Sequence, residues 1–155
     1  NAPSKNLTWK SCQTLYFTAN KRVIEKPMIG LVSREDSLIN NIFYHTSVAT
    51  HNNNTEELLS VTVVKEHQLS EEQLIATVTK QLKEECHIDT ITFLEIHNIK
   101  RALPDLKYIK SEVTPSETQL SSGIFLAGDV QLNGSLNAAM IAGEKAALQV
   151  IASHK

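Results

Sequence analysis

Cysteine is scarce: two residues, Cys12 and Cys86, in a chain of 155. Two thiols do not make a disulfide framework, so a reducing cytosol is the expected compartment and the expected localisation is cytoplasmic. Cys86 is followed by His87, but the spacing matches no zinc motif. Charge of one sign is also missing. The formal net charge is −2, with 21% charged residues, and this balance supplies no electrostatic reason for nucleic acid or an anionic membrane as partner. No apolar run approaches the roughly 18–20 residues needed to span a bilayer. Glycine is sparse, five in all. Nowhere do the glycines form Gly-x-Gly-x-x-Gly or the Gly-x-x-x-x-Gly-Lys-Ser/Thr loop of nucleotide triphosphate sites.

The usual catalytic constellations are absent too. The six histidines (His45, His51, His67, His87, His97 and His154) form no His-x-x-x-His pair and do not cluster with acids at ligand spacing. Ser121-Ser122-Gly123 lacks the first glycine of a nucleophile elbow, and its serines precede a strand instead of following one. Glu56-Glu57 and Glu84-Glu85 are not spaced for paired-carboxylate chemistry on one face. Lys100-Arg101 reads as a solvated pair. No catalytic residue and no metal ligand is therefore assigned.

What remains is a globular composition, 41% hydrophobic, of a length that suits one sizeable core. Asn1-Ala2 resembles the scar of a removed expression tag, and residues 1–2 are set aside. Thr8–Thr18, Met28–Val32, Ser37–Val48, Leu58–Val64 and Ile91–Ile99 are rich in β-branched and aromatic residues and read as strands. The polar run Thr50–Thr55 reads as an exposed loop. Between the fourth and fifth strands lies one helix. Ser70 and Gln73 make a capping box, and Glu71 and Glu72 complement the helix dipole. Leu74, Ile75, Val78 and Leu82 form its apolar stripe, and it should end near Cys86 or His87. Pro104 should end the Ile91 strand, since it cannot donate to a ladder. Lys107–Ser122 reads as connector.

The composition then shifts. Gly123–Ala127 reads as an apolar strand, Gly128-Asp129 stops it, and a long helix follows from about Ser135 to Ser153. Ala138, Ala139, Ala142, Gly143, Ala146 and Ala147 give that helix a face of small side chains. Gly143 inside it costs up to about 1 kcal/mol relative to Ala, so a close contact should repay it. A helix N-terminus has unpaired N–H groups and partial positive charge. Gly134 keeps a side chain out of the way of a ligand. Ser135 can cap the helix, and Asp129 can accept hydrogen bonds from ligand hydroxyls. From residue chemistry alone, a ligand-holding helix start and a plain strand–turn–helix stay equally open.

Gly123-Ile-Phe-Leu-Ala-Gly-Asp129, Gly134-Ser-Leu-Asn-Ala138 and Ala142-Gly-Glu-Lys-Ala-Ala147 resemble the closing motif of the flavin amine oxidase and phytoene desaturase superfamily. The upstream run is more loosely similar to the substrate-side region of the same superfamily. It extends from Leu15-Tyr16-Phe17 through Ile39-Asn40-Asn41 and Leu59-Ser-Val-Thr-Val63 to Ala102-Leu103-Pro104. The resemblance implies a C-terminal piece of an FAD-dependent oxidoreductase, acting on a small apolar or amine substrate by hydride-type transfer to flavin. The cofactor-binding residues carried over are Gly128, Asp129, Gly134, Ser135, Leu136 and Asn137. Asp129 would take the ribityl or pyrophosphate region, and the N–H groups near Ser135, Leu136 and Asn137 the flavin edge. The family's dinucleotide fingerprint belongs to an N-terminal FAD-binding domain, which is the implied partner. A piece without that domain is not expected to retain FAD or to be active.

The expected fold is α+β: a mixed, largely antiparallel sheet of about five strands with one packed helix, plus a C-terminal strand and long helix. Residues 3–122 would form the substrate-side domain, and residues 123–155 the segment that returns to the FAD domain. The small-residue face of the last helix should pack on the sheet or on a second copy, making a homo-oligomer. The rival from another class is a stand-alone, non-catalytic module for small-ligand binding or oligomerisation.

Overall fold

The computed structural model describes residues 7–48 and 55–154. Asn1-Ala2 and residues 50–54 of the loop expected at Thr50–Thr55, His51 among them, lie outside the described residues. By internal packing the chain forms two units, one of residues 11–100 and one of residues 7–10 with 101–154. Strands β1 (Thr8–Ala19), β2 (Gly30–Leu31), β3 (Ile39–Tyr44), β4 (Glu57–Val63) and β5 (Ile91–Asp105) form one sheet in the order β2-β3-β4-β1-β5. Strands β2, β3, β4 and β1 pair antiparallel in turn. The architecture is α+β, with a five-stranded antiparallel sheet and two helices, the second long and C-terminal.

In the unit of residues 11–100, strand alternation decides which side is core. Leu15, Phe17 and Ala19 on β1 and Leu59, Val61 and Val63 on β4 are buried on one face. Helix α1 (Glu71–Cys86) covers that face with Leu74, Val78 and Leu82, all fully buried. Its start follows from sequence. The Ser70 Oγ accepts the Gln73 N–H at 3.3 Å, and the Gln73 Oε1 accepts the Ser70 N–H at 2.9 Å. It ends at His87, which adopts the left-handed conformation with φ 58°. Burial, with the nearby Glu85 charge, pushes the pKa of the half-buried Cys86 thiol upward.

Several local expectations are corrected. Strand β3 stops at Tyr44, and His45–Ser47 form a 3₁₀ turn in which the Ser47 hydroxyl donates to the Tyr44 carbonyl at 2.5 Å. Strand β5 runs through Pro104 to Asp105. As an outermost strand of the sheet, it has one side on which a missing N–H breaks no ladder bond. Phe93 and Ile96 both pack on the core, although three positions apart.

The second unit closes around its own smaller core of Val113, Leu132 and Ala138. The expected Lys107–Ser122 connector is partly ordered. It contains a 3₁₀ turn at Pro115–Thr118 and strand β6 (Gln119–Ser121). Strand β7 is only Ile124–Phe125 and pairs with β6 as a two-stranded ribbon. The chain reverses at Gly123, whose φ of +72° suits glycine. Helix α2 (Leu136–Ser153) buries Ala138, Ala142 and Ala146 and packs against the turns at Pro115–Thr118 and Asp129–Gln131. The small-residue face thus rests on two tight turns of its own unit. Gly143 has no atom within 4 Å of a built Cβ, so no close contact among the described residues repays its helix cost.

Candidate functional site

The cofactor-binding positions read from sequence come together on one loop. Gly128, with φ 126°, leads into a 3₁₀ turn over Asp129–Gln131. Asp129 therefore opens a turn instead of ending a strand. Its carbonyl accepts the Leu132 and Gly134 N–H groups, both at 3.1 Å, which ties the two glycine-bearing ends of the loop together. The Asp129 side chain is half-buried and makes no ion pair among the described residues. Gly134 has φ 68°, and a Cβ there would lie 3.2 Å from Leu103 Cδ1 and from Pro104 Cγ. The close approach expected at Gly134 is thus to Leu103 and Pro104 of its own unit.

Ser135 caps α2: its Oγ accepts the Ala138 N–H at 3.1 Å and donates to Asn133 Oδ1 at 2.6 Å. The Ala139 N–H goes to the Ser135 carbonyl at 3.0 Å. Leu136 and Asn137 occupy the first two helical positions, where an N–H group has no intrahelical acceptor. Leu136 also leaves its side chain 78% exposed. The loop thus carries two N–H groups without an intrahelical acceptor at a positive helix end, and a carboxylate without an ion-pair partner among the described residues. Such a set can hold an electron-rich edge and a hydroxyl-bearing chain.

A second constellation lies in the other unit, among histidines that gave no signal in the sequence. On the sheet face opposite α1, the Tyr16 ring stands 5.8 Å from His45 and 5.6 Å from His97. Phe43 meets His45 edge-on at 5.1 Å. The His45 Nε2 is 3.0 Å from Ser60 Oγ, and the Ser60 hydroxyl reaches the Phe43 carbonyl at 3.4 Å. Four strands, β1, β3, β4 and β5, and the turn after β3 supply these groups. Only the neighbouring of β3, β4, β1 and β5 in the sheet brings them together, so no local spacing reveals them. Among the described residues no group of three or more His, Cys, Asp or Glu side chains is placed to hold a metal. No helix among them is long and apolar enough to cross a membrane.

No protein-family model matches the chain, and no curated protein matches it. Among solved structures it is similar to an oxidoreductase from Methanosarcina mazei, with a TM-score of 0.51 and 15% identity over 96% of this chain. The chain spans 34% of the length of that protein. At this identity the likeness is one of fold.

Proposed function

We propose that the chain is the substrate-side and closing portion of an FAD-dependent oxidoreductase that oxidises a small apolar or amine substrate. The observation that carries this reading is the Gly128–Asn137 loop. It carries the N–H groups of Leu136 and Asn137 at the start of an 18-residue helix, and Asp129, which makes no ion pair among the described residues, lies on the same loop. The fold likeness to an oxidoreductase nearly three times as long supports it. So does the far side of α2, where Met140 and Ile151 stand 67% and 58% exposed. A covering FAD-binding domain would bury them.

The residues fit the cofactor by donor chemistry. The N–H groups of Leu136 and Asn137 bind the electron-rich edge of the isoalloxazine, and the helix end stabilises negative charge there. Asp129 accepts hydrogen bonds from ribityl hydroxyls. Bound flavin supplies the acceptor for a hydride equivalent. Within residues 11–100, the rings of Tyr16, Phe43, His45 and His97 can stack against an apolar or amine substrate.

The test is the absorption spectrum of the protein expressed from its complete reading frame. A yellow protein with the two visible flavin bands is expected, and Asp129→Ala should weaken FAD binding about tenfold, the scale of a charge-assisted hydrogen bond. A folded, colourless protein that takes up no added FAD overturns the reading.

A further inference from the structure

Within residues 11–100, near the start of β1, Cys12, Gln13, Val63, Val64, His67 and Asn98 help to line an open cavity of about 570 Å³. That volume lies within the range of small-molecule sites. One backbone group sets its hydrogen-bond polarity. The Leu69 N–H donates to His67 Nδ1 at 3.3 Å. A ring nitrogen that accepts carries no proton, so the neutral imidazole holds its hydrogen on Nε2. That Nε2–H donates to Gln13 Oε1 at 2.6 Å. With its oxygen engaged, Gln13 turns its amide nitrogen to Asn98 Oδ1 and donates at 2.8 Å. The relay leaves the Asn98 NH₂ as the free end, a pure donor.

Lys100 lies two residues along the same strand, on the same side as Asn98. No carboxylate comes within ion-pair distance of it among the described residues. Lys65, also in the lining, is committed to the carbonyls of Glu35 and Ser37. Glu66 is the one acid in the lining, against Lys65 and Lys100. Val64 adds apolar surface, 49% exposed. Free donors, a free cation and an apolar wall in one cavity define a complementary ligand.

We propose that this cavity binds a small carboxylate carrying a short apolar body. The carboxylate sits between the Asn98 amide and Lys100, and the body lies against Val64. The site is independent of the flavin reading, which rests on residues 128–137.

A ¹⁵N magnetic-resonance titration with hexanoate tests it, with hexanol and hexylamine as controls. Hexanoate should shift the Gln13 and Asn98 side-chain amide signals saturably, and the two controls should not. Lys100→Gln should weaken hexanoate about threefold, the scale of an exposed ion pair. Asn98→Leu, followed through the Gln13 amide, should weaken it about tenfold, the scale of a hydrogen bond to a charged group. Absence of a saturable shift, equal binding of hexanol, or an unchanged affinity in Lys100→Gln each overturns the proposal. Lys100 is exposed, so its variant keeps the fold and the result stays interpretable.

Discussion

His67 and Gln13, 54 residues apart in sequence, meet at 2.6 Å between Nε2 and Oε1. The contact joins the segment entering α1 to β1. It is directional, because the Leu69 N–H holds His67 in the tautomer that donates to Gln13. A double-mutant cycle of His67→Phe and Gln13→Met should give a coupling of about 1 kcal/mol, the usual net value of such a bond. His67→Phe with Lys100→Gln should be additive, since Lys100 lies outside the relay. Urea denaturation of the single and double variants measures both. A coupling near zero for His67 and Gln13 removes the relay.

His87 ends α1 at φ 58°, a conformation that costs a residue with a Cβ roughly 1–2 kcal/mol. The Ile88 N–H reaches the Leu82 carbonyl at 3.1 Å only because His87 turns this way. His87→Gly keeps the turn and relieves the strain, less the entropy that glycine loses on folding. Stability should rise by about 0.5–1 kcal/mol. A fall in the urea midpoint would mean that the imidazole makes a contact outweighing its own strain.

Much of this fold was legible in the sequence. Leu15, Phe17 and Ala19 alternate as a half-buried strand must, and Ser70 with Gln73 marks the start of α1. The legible part of the candidate site was its local part: Gly128, Asp129, Gly134 and Ser135 lie close in sequence and fall on one loop. Long-range features were hidden. Pro104 reads as a strand end unless the strand is known to be outermost. Tyr16, His45 and His97 belong to separate strands or turns, and only register unites them. Gly134 read as an opening for a ligand, but Leu103 and Pro104, distant in sequence, occupy the space beside it.

The two glycines of the closing segment should therefore respond in opposite directions to the same change. Gly134→Ala places a Cβ in the left-handed region and 3.2 Å from both Leu103 and Pro104. It should cost about 1–2 kcal/mol from the backbone alone, with crowding added. Gly143→Ala meets open space in a helix interior and should stabilise by about 0.5–1 kcal/mol. Thermal melts of both variants decide. A destabilising Gly143→Ala would show that another surface packs against α2 closely enough to exclude a methyl group.

Glu117 makes the second unit sensitive to acid. The Thr114 N–H donates to its carboxylate at 2.7 Å, the Thr114 hydroxyl at 2.9 Å, and Lys110 lies at 3.2 Å. The Thr114 backbone bond leads, followed by the Thr114 hydroxyl and Lys110, in lowering the pKa from 4.5 to about 2. All of these bonds favour the charged form. A depressed folded-state pKa stabilises fully above the unfolded value and loses that contribution as pH falls through the window from 4.5 to about 2. Glu117→Gln removes the titration. At neutral pH the variant should be the less stable of the two proteins, and the gap should narrow steadily below pH 4.5. Other carboxylates with lowered pKa, Asp36 and Glu72, contribute equally to both proteins and cancel in the difference. Denaturant midpoints of the pair across this range check the sign. Parallel curves would mean that the carboxylate does not hold the Thr114–Glu117 turn in solution.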